Sequence, residues 1–258
     1  NYIFIFFKFR NKNMSYDYKQ GKNRVETILD NYMEIEEKDR LPVGDSFTFE
    51  NGYLSWVTAI FVDLRDSTTI FSKSDEATAK LIRAFTSEVI EILRNDENLR
   101  EIGIRGDCVY AIYTTPNKNN IMECANKTFF INTFINMINK MLNQRGMQTI
   151  KAGIGMATDK ELVIKTGRKG VAINSKVWIG KAVTLASKLS GLGDKNSLPR
   201  LAYSHYSFVN FIDLLQSRNS NKNTKTWFKE YYSTELQIKY HQANIIKTDF
   251  SNWIDEEI

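Results

Sequence analysis

The chain has 258 residues, 42% of them hydrophobic and 25% charged, which is enough for one large domain with a sizeable core. Its net charge of +5 and isoelectric point near 9.0 suit an anionic partner, but the basic residues are dispersed, which fits an ordinary basic surface equally well. The two cysteines argue against a disulfide framework and favour a reducing, cytoplasmic compartment, and with only two histidines a His/Cys zinc site is not expected.

The N-terminus begins with an apolar run at residues 2–9, ahead of the first methionine, Met14. This run is far shorter than the roughly 20 residues of a membrane span, and it lacks the small-residue cleavage site of a signal peptide. We therefore expect no membrane partner and expect Met14 to be the natural start. Residues 1–45 are predicted to form an N-terminal extension with a charged helix at 22–40, ahead of a main domain at 46–258.

The main domain has the patterns of an α+β fold. Strands are indicated by short runs rich in β-branched and aromatic residues, and helices by apolar residues three and four positions apart. In chain order, we predict a strand at 53–62, a helix at 75–93, a hairpin of strands at 99–105 and 108–113, a helix at 117–145, strands at 149–157 and 161–165, a basic loop at 167–170, a helix at 179–190, a strand at 200–206 and a strand or hairpin within 231–258. This order resembles a ferredoxin-like core, with an antiparallel-rich sheet and flanking helices.

Two carboxylates lie where these strands end. Asp63 closes the buried strand at 53–62, and Asp107 lies at the tip of the predicted hairpin. Each position alone is more typical of a turn or a helix cap than of a metal site. In a ferredoxin-like sheet, however, the strand and the hairpin are neighbours, so both carboxylates are expected at one edge. There they could hold two metal ions that assist both the attacking and the leaving oxygens of a displacement reaction.

The helix at 179–190 is the third candidate feature. Thr184 and Lys188 are four residues apart and share one face of this helix. An ordinary amphipathic helix with a solvated lysine would show the same pattern. The spacing of a Walker phosphate loop is absent around Gly180 and Lys181.

The three segments, in this order and spacing, resemble the class III adenylyl and guanylyl cyclases over residues 56–193. FVDLRDST at 61–68 is similar to the family's F-x-D-I-x-x-S/T strand, IRGDCVY at 104–110 to its I-G-D hairpin, and WIGKAVTLASK at 178–188 to its W-G-x-x-V-N-x-A-S-R helix. The resemblance implies a cyclase catalytic domain with a C-terminal extension at 46–258. It also implies two divalent ions, Mg²⁺ or Mn²⁺, bound by the carboxylates of Asp63 and Asp107 with help from the Leu64 carbonyl.

Further roles are implied by the same resemblance. Backbone amides of the loop at 64–68 would bind phosphate, and this loop contains Arg65, Asp66, Ser67 and Thr68. Arg168 stands before the third motif, where the family has a triphosphate-binding arginine. Lys188 replaces a transition-state arginine and lacks its forked geometry. Thr184 replaces a ribose-orienting asparagine and lacks its amide, so both changes bear on catalytic efficiency rather than on reaction type.

Base recognition is where the chain departs most from the family pattern. Glu101 aligns with a base-reading position that is acidic in guanylyl cyclases, whereas Val177, at the second such position, offers a purine no hydrogen bond. With the WIGKAV segment and the N-G-Y turn at 51–53, the chain resembles the bacterial pyrimidine cyclases of Pycsar anti-phage systems, which make cyclic UMP or cyclic CMP for a separate effector. Tyr53, Glu101 and Trp178 are then candidates for base contact, although core packing explains Tyr53 and Trp178 equally well.

The resulting hypothesis is a cytoplasmic cyclase that converts UTP to cyclic UMP and pyrophosphate by attack of the 3′-hydroxyl on the α-phosphate, as a signal in antiviral defence. The resemblance implies a head-to-tail homodimer with two shared sites. One subunit would supply Asp63, Asp107 and Arg168, and the other Glu101, Thr184 and Lys188. CTP, a purine triphosphate, or nucleotide binding without catalysis remain alternatives. A polymerase-like palm would bind nucleic acid in a salt-dependent way, but no concentrated basic stripe supports it.

Overall fold

The computed structural model of the chain describes residues 16–72, 75–168 and 173–258. The predictions for the apolar run at 2–9 and for Met14 lie outside these residues, as does the second half of the basic loop at 167–170. Within the described ranges, no helix is both long enough and apolar enough to cross a membrane.

Helices and strands alternate along most of the chain. The helices are α1 (Tyr18–Asp30), α2 (Ser67–Phe71), α3 (Glu76–Arg94), α4 (Lys118–Gln144), α5 (Ala182–Ser190), α6 (His205–Ser217) and α7 (Thr248–Glu257). The strands are β1 (Glu34–Glu37), β2 (Asn51–Leu64), β3 (Leu99–Arg105), β4 (Cys108–Thr114), β5 (Ala152–Arg168), β6 (Ile173–Ile179), β7 (Leu201–Ser204), β8 (Lys229–Ser233) and β9 (Ile238–Ala243).

One sheet organises the described part of the chain. Its strand order is β3-β4-β2-β5-β7-β9-β8, with β1 beside β2 and β6 beside β5. Most neighbouring strands are antiparallel, while β1 with β2 and β5 with β7 are parallel. The predicted α+β fold, a mostly antiparallel sheet with flanking helices, is therefore confirmed.

The two faces of the sheet contribute to two different cores. Successive side chains of a strand point to opposite faces, so Val62 and Leu64 of β2 face one core and Ala59 and Phe61 the other. The large core lies under α3, α4 and α6. The small core lies under α5 and the segment that carries Leu41. Asp63, between Val62 and Leu64, therefore points to the α5 face.

Several predicted elements are confirmed, and two of the helices have a side-chain cap. Helix α3 is capped by Asp75, whose Oδ1 accepts from the Thr78 amide at 2.7 Å, and α4 is capped by Asn117. The predicted hairpin is β3 and β4, with Arg105 paired to Cys108 across the turn. These elements have strong local signals, namely long amphipathic periods and a short turn between apolar runs.

The prediction for the region before β2 was partly wrong. The charged segment at 22–40 was predicted as one helix, but α1 ends at Asp30 and Glu34–Glu37 is the exposed strand β1. The backbone of β1 pairs with β2, and the Glu34 amide donates to the Glu50 carbonyl at 3.0 Å. Pairing with an available strand therefore overrides the helical preference of a Glu-rich segment.

The prediction of two strands at 149–157 and 161–165 was also wrong, because β5 runs unbroken from Ala152 to Arg168. The polar stretch in its middle suggested a turn. In the fold, the hydroxyl of Thr158 is hydrogen bonded to Thr58 at 2.8 Å and to Ser207 at 2.9 Å. These buried bonds satisfy the polar group and let the strand continue.

Three further corrections concern the second half of the chain. Strand β6 ends at Ile179, the predicted start of the third helix, so α5 begins only at Ala182. Helix α6 was not predicted. The C-terminal tail was predicted as a strand or hairpin, but after the hairpin of β8 and β9 it forms α7, with Ile254 buried and its carbonyl bound by Lys140 of α4 at 2.9 Å.

Candidate active site

Asp63 occupies the end of the central strand on the α5 face of the sheet. It pairs with Cys108 of β4 on one side and with Gly153 of β5 on the other. Its side chain is 29% exposed, so its carboxylate is half-buried among neighbouring backbones. The apolar run before it explains this position: burying a charge is costly, so the carboxylate occurs only where the buried strand ends.

Asp107 lies beside Asp63 in the two-residue turn between β3 and β4. Gly106 precedes it with φ of +64°, in the left-handed region that favours glycine, and a Cβ added there would meet no atom within 4 Å. The turn therefore needs glycine for its backbone conformation rather than for space. Because β4 pairs with β2, the turn brings the second carboxylate to the same end of the sheet as the first.

The two carboxylates interact electrostatically. Burial raises the pKa of Asp63, the nearby Arg65 guanidinium lowers it, and the Asp107 carboxylate raises it. Two neighbouring carboxylates beside a single arginine keep a net negative charge that suits a cation, and carboxylate oxygens are hard ligands of the kind that Mg²⁺ and Mn²⁺ prefer. The residues present therefore fit divalent metal ions.

Arg65 connects Asp63 to the C-terminal end of α5. Its Nη2 lies 3.4 Å from Asp63 Oδ2 and donates to the Ser190 carbonyl, while Nη1 donates to the Gly191 carbonyl at 3.3 Å. A Cβ at Gly153 would collide with this guanidinium and with the Ser190 carbonyl. The guanidinium of Arg65 is thus bound by groups of the protein itself.

The loop at 64–68 forms a turn into the short helix α2. Leu64 is buried, Asp66 has φ of 55°, and the amides of Thr69 and Ile70 both donate to the Asp66 carbonyl. The amides of Ser67 and Thr68 precede that of Thr69, the first amide to donate within this turn. Like other first-turn amides, they lack partners inside the helix, and such groups commonly bind anions.

Glu101 is held by two neighbours on the same face of the sheet. Tyr110 donates its hydroxyl to Oε1 at 2.8 Å, and the indole Nε1 of Trp178 donates to Oε2 at 2.8 Å. The Tyr110 ring stacks on Phe61, with centroids 5.4 Å apart. Two of the three predicted base-contact residues, Glu101 and Trp178, are therefore brought together within one chain.

Tyr53 and Val177 have different surroundings. The Tyr53 ring is 8% exposed and packs edge-on against Phe47, and its hydroxyl donates to the Ser46 carbonyl at 3.1 Å. These contacts match the core-packing alternative for Tyr53. Val177, on β6, is 40% exposed and has no polar atom to offer a base.

Helix α5 carries Thr184 and Lys188 on its exposed face. Thr184 donates to its own helix, to the Lys181 carbonyl at 3.2 Å, and Lys188 has no ion-pair partner among the described residues. The N-terminus of α5 is held by Glu161, whose fully buried Oε1 accepts from the Ala182 amide at 2.5 Å. Burial raises the pKa of Glu161, although the amides of Ala182 and Val183 lower it.

Arg168 is remote from the aspartates of its own chain. It is the exposed last residue of β5, whereas Asp63 pairs with Gly153 near the start of that strand. Fifteen residues of straight strand span roughly 50 Å. The prediction that Arg168 and the two aspartates serve one site from the same subunit therefore conflicts with this placement.

Tyr110 and Glu161, which hold predicted site residues or their helix in place, were not predicted from the sequence. The contacts of the Arg65 side chain with α5 were not predicted either. Tyr110 could have been found, because the hairpin register places it diagonally across from Glu101 and a Cβ at Gly103 would collide with its ring. Glu161 and the contacts of Arg65 join segments far apart in the chain. The sequence holds no local signal for either.

The family description "Adenylate and Guanylate cyclase catalytic domain" matches residues 50–216. A uridylate cyclase of Treponema porcinum is 42% identical over 254 residues, which cover 98% of this chain and 86% of that protein. A uridylate cyclase of Gulbenkiania mobilis is 34% identical over 96% of this chain and 99% of its own length.

Solved structures agree on the fold. The adenylyl cyclase CyaB from P. aeruginosa superimposes with a TM-score of 0.59 at 16% identity, over 74% of this chain and 95% of that one. A class III adenylyl cyclase-like ATP-binding protein from Pseudomonas aeruginosa gives a TM-score of 0.63 at 15% identity, over 93% of this chain and 48% of that one. At such identities the likeness concerns architecture alone.

Proposed function

Because the chain belongs to the class III nucleotide cyclase family, we propose that it is a uridylate cyclase that converts UTP to cyclic UMP and pyrophosphate. The observation that carries this proposal is the nearly full-length similarity to two proteins named uridylate cyclase. The interacting carboxylates of Asp63, near the end of β2, and Asp107, in the β3–β4 turn, support the reaction type, since a pair of carboxylates can hold the two ions that assist a displacement at phosphorus.

Asp63 and Asp107 are proposed to hold two divalent ions, Mg²⁺ or Mn²⁺, with the Leu64 carbonyl as a further ligand. Such ions supply Lewis acidity to the 3′-hydroxyl and to the departing pyrophosphate. The aspartates position these charges, and Arg65 fixes the orientation of Asp63 by bridging it to α5. The amides of Ser67 and Thr68 are proposed to bind phosphate oxygens.

Lys188 and Thr184 are proposed to act on the nucleotide from the exposed face of α5. The Lys188 ammonium would stabilise the negative charge that develops as the α-phosphate is attacked. The Thr184 hydroxyl would orient the ribose. Glu161 supports both indirectly, because it binds the amide at the start of the helix that carries them.

Base selection is proposed to rest on Glu101 with Trp178. Their hydrogen bond sets the carboxylate in one orientation, and Tyr110 restrains its second oxygen. A group held in this way offers fixed acceptors to a base edge, which favours discrimination between bases. Val177 points to the other face of β6 from Trp178, and Tyr53 is packed in the core, so neither is proposed to contact a base bound at Glu101 of the same chain.

We further propose a homodimer with two shared sites, each made from the aspartates of one subunit and the α5 residues of the other. The exposure of Thr184 and Lys188 on α5 supports a partner on this face. Arg168, at the far end of β5, is proposed to contribute to the site that contains the partner subunit's aspartates.

The biological setting is proposed by analogy with the related bacterial pyrimidine cyclases. Cyclic UMP would serve as a cytoplasmic signal in antiviral defence and would be read by a separate effector protein. Cys108 and Cys124 are both free thiols, which agrees with a reducing compartment.

Product analysis tests the reaction and the base together. The full chain is incubated separately with ATP, GTP, CTP and UTP in Mg²⁺ or Mn²⁺, beside Asp63→Ala and a matched control, Asp213→Ala, which removes an exposed carboxylate on α6. We expect cyclic UMP from the wild type and from the control, and none from Asp63→Ala. Cyclic CMP or a cyclic purine would refute the substrate but keep the reaction, and no cyclic product would refute both.

Mixing two inactive variants tests the shared sites. Asp63→Ala leaves α5 intact, and Lys188→Ala leaves the metal-binding carboxylates intact. In a shared-site dimer, mixed subunits form one complete site, so the mixture should recover up to about a quarter of wild-type activity if subunits exchange randomly. Recovery absent after subunit exchange has been verified would refute the sharing.

A further inference from the structure

Both histidines of the chain meet at the β8 edge of the sheet. The Nδ1 atom of His205 lies 2.9 Å from Nε2 of His241, and Oε2 of Glu230 lies 3.9 Å from the same Nε2. One ligand atom from each of the three side chains lies within 4.8 Å of the others. Nitrogen and oxygen ligands thus converge from positions that are far apart in sequence.

The strand register creates this meeting. Tyr203 of β7 pairs with His241 of β9, and Glu230 of β8 pairs with the other side of His241. Helix α6 begins at His205, immediately after β7, so the first imidazole lies above the second. All three side chains are therefore placed by backbone elements and not by flexible loops.

The buried histidine is held as a ready ligand. His241 is 4% exposed, and its ring stacks on Phe208 with centroids 3.8 Å apart. Imidazole binds metals through a ring nitrogen, and Nε2 of His241 is the atom that faces both His205 and Glu230. Glu230 is partly exposed, and its other oxygen, Oε1, is bound by Lys239 at 3.2 Å.

The geometry agrees with tetrahedral coordination. Around a tetrahedral ion with bonds near 2.0–2.2 Å, ligand atoms lie roughly 3.3–3.6 Å apart. Two of the three separations are 2.9 Å and 3.9 Å, on either side of this range, and the third is within 4.8 Å. The exposure of His205 and Glu230 leaves an entry path and room for a water as the fourth ligand. Two imidazoles and one carboxylate favour Zn²⁺ or Co²⁺ over Mg²⁺, which prefers oxygen ligands.

We propose that His205, His241 and Glu230 form a binding site for Zn²⁺ or a chemically similar divalent ion, separate from the carboxylates of Asp63 and Asp107. The two sites lie on opposite faces of the sheet. His241 is in register with Tyr203, which faces the large core, whereas Asp63 faces α5. A bound ion would join α6 to both strands of the last hairpin.

Zinc binding is measured on the chelator-treated full chain by isothermal titration, with Co²⁺ absorption as a probe of four-coordinate geometry. We expect one zinc ion per chain at this site in the wild type and in Asp63→Asn, and no displacement by excess Mg²⁺. His205→Asn and Glu230→Gln should weaken zinc binding by at least about 10-fold. Both change exposed side chains, so both should fold even if replacement of His241 does not.

Glu235→Gln is the matched control, because it removes an exposed carboxylate from the turn between β8 and β9 and should leave zinc binding unchanged. Equal zinc affinity in the wild type, His205→Asn and Glu230→Gln would overturn the proposal. Loss of the bound zinc in Asp63→Asn would also overturn it, by assigning the ion to the other site. Neither readout depends on cyclase activity, so the result is independent of the proposed function.

Discussion

The two faces of the central sheet differ in the side chains that they bury. The face under α3, α4 and α6 is closed by large apolar side chains such as Phe85, Ile135 and Phe211. The face under α5 holds half-buried or buried charges, among them Asp63 and Glu161. Stability is therefore concentrated on the closed face, while the α5 face keeps charged groups that cost folding energy and that the proposed reaction needs.

The largest expected effect is loss of stability from the closed face. Phe85→Ala should lower the free energy of unfolding by about 3–5 kcal/mol, because it removes a fully buried ring and leaves a cavity. The activity of the protein that remains folded should stay within about twofold of wild type. Denaturant titration and cyclase assays below the melting temperature measure the two quantities.

Phe130→Ala is the control for this variant, because that ring on α4 is 36% exposed and its loss should cost at most about 1 kcal/mol. A large loss of activity in folded Phe85→Ala would show that the two faces are not separable.

Asp63→Asn is expected to lose activity but not stability, the opposite of Phe85→Ala. Activity should fall by at least about 100-fold, since a metal ligand is lost. In a metal-chelating buffer the variant should melt at a higher temperature than wild type, because it removes a carboxylate whose pKa is raised chiefly by burial. Thermal unfolding with chelator tests this. A lower melting temperature would mean that the ion pair with Arg65 outweighs the cost of burying Asp63.

A smaller effect is expected at the start of α5. Glu161→Ala removes the acceptor of the Ala182 amide and should lower stability by about 1–2 kcal/mol, with some loss of activity through displaced Thr184 and Lys188. Glu161→Gln keeps an oxygen acceptor without a charge, so it should match the stability of the wild type at low pH and exceed it at higher pH, where the wild-type carboxyl is ionised. Chemical unfolding of both variants separates the role of the acceptor from that of the charge.

The wild type and Glu161→Gln should also differ in how their stability depends on pH. The pKa of Glu161 is raised from 4.5, so the folded chain retains this proton more strongly than the unfolded chain. The contribution of Glu161 to stability is therefore complete below pH 4.5 and declines as the pH rises through the raised pKa. Glu161→Gln should lack this decline, so the stabilities of the two proteins, measured from pH 4 upward, should coincide below pH 4.5 and separate as the pH rises; curves that stay parallel would contradict the raised pKa.

The smallest effect is expected at an exposed ion pair. Glu76 and Lys80 are four residues apart on α3, with Oε1 and Nζ 2.5 Å from each other, and both side chains are more than 70% exposed. A double-mutant cycle with alanine should give a coupling energy of at most about 0.5 kcal/mol, because water screens the pair. A coupling above 1 kcal/mol would contradict this.

Much of the fold was predictable from local signals. The periods of α3 and α4 and the Gly106 turn placed these elements within a few residues, and they also predicted the neighbouring positions of Asp63 and Asp107. The predictions failed where pairing with other segments decides the structure. The Glu-rich strand β1 and the polar centre of β5 are strands because β2 pairs with both of them.

The candidate site divides in the same way. The sequence indicated Asp63, Asp107, Glu101 and Lys188 through short motifs. It did not indicate that Tyr110 and Trp178 would bind the Glu101 carboxylate, or that Arg65 would reach α5. The Trp178 to Glu101 bond spans 77 positions of the chain, and the Arg65 to Gly191 bond spans 126.

The sequence by itself determined which segments are amphipathic, where apolar strands end and which charges stand at those ends, because these properties depend on residues a few positions apart. Tertiary structure alone decided which distant side chains meet. Glu161 reaches the first turn of α5, and His205 meets His241, only through strand register and helix docking. Such contacts depend on the packing of the whole sheet, and no local pattern encodes them.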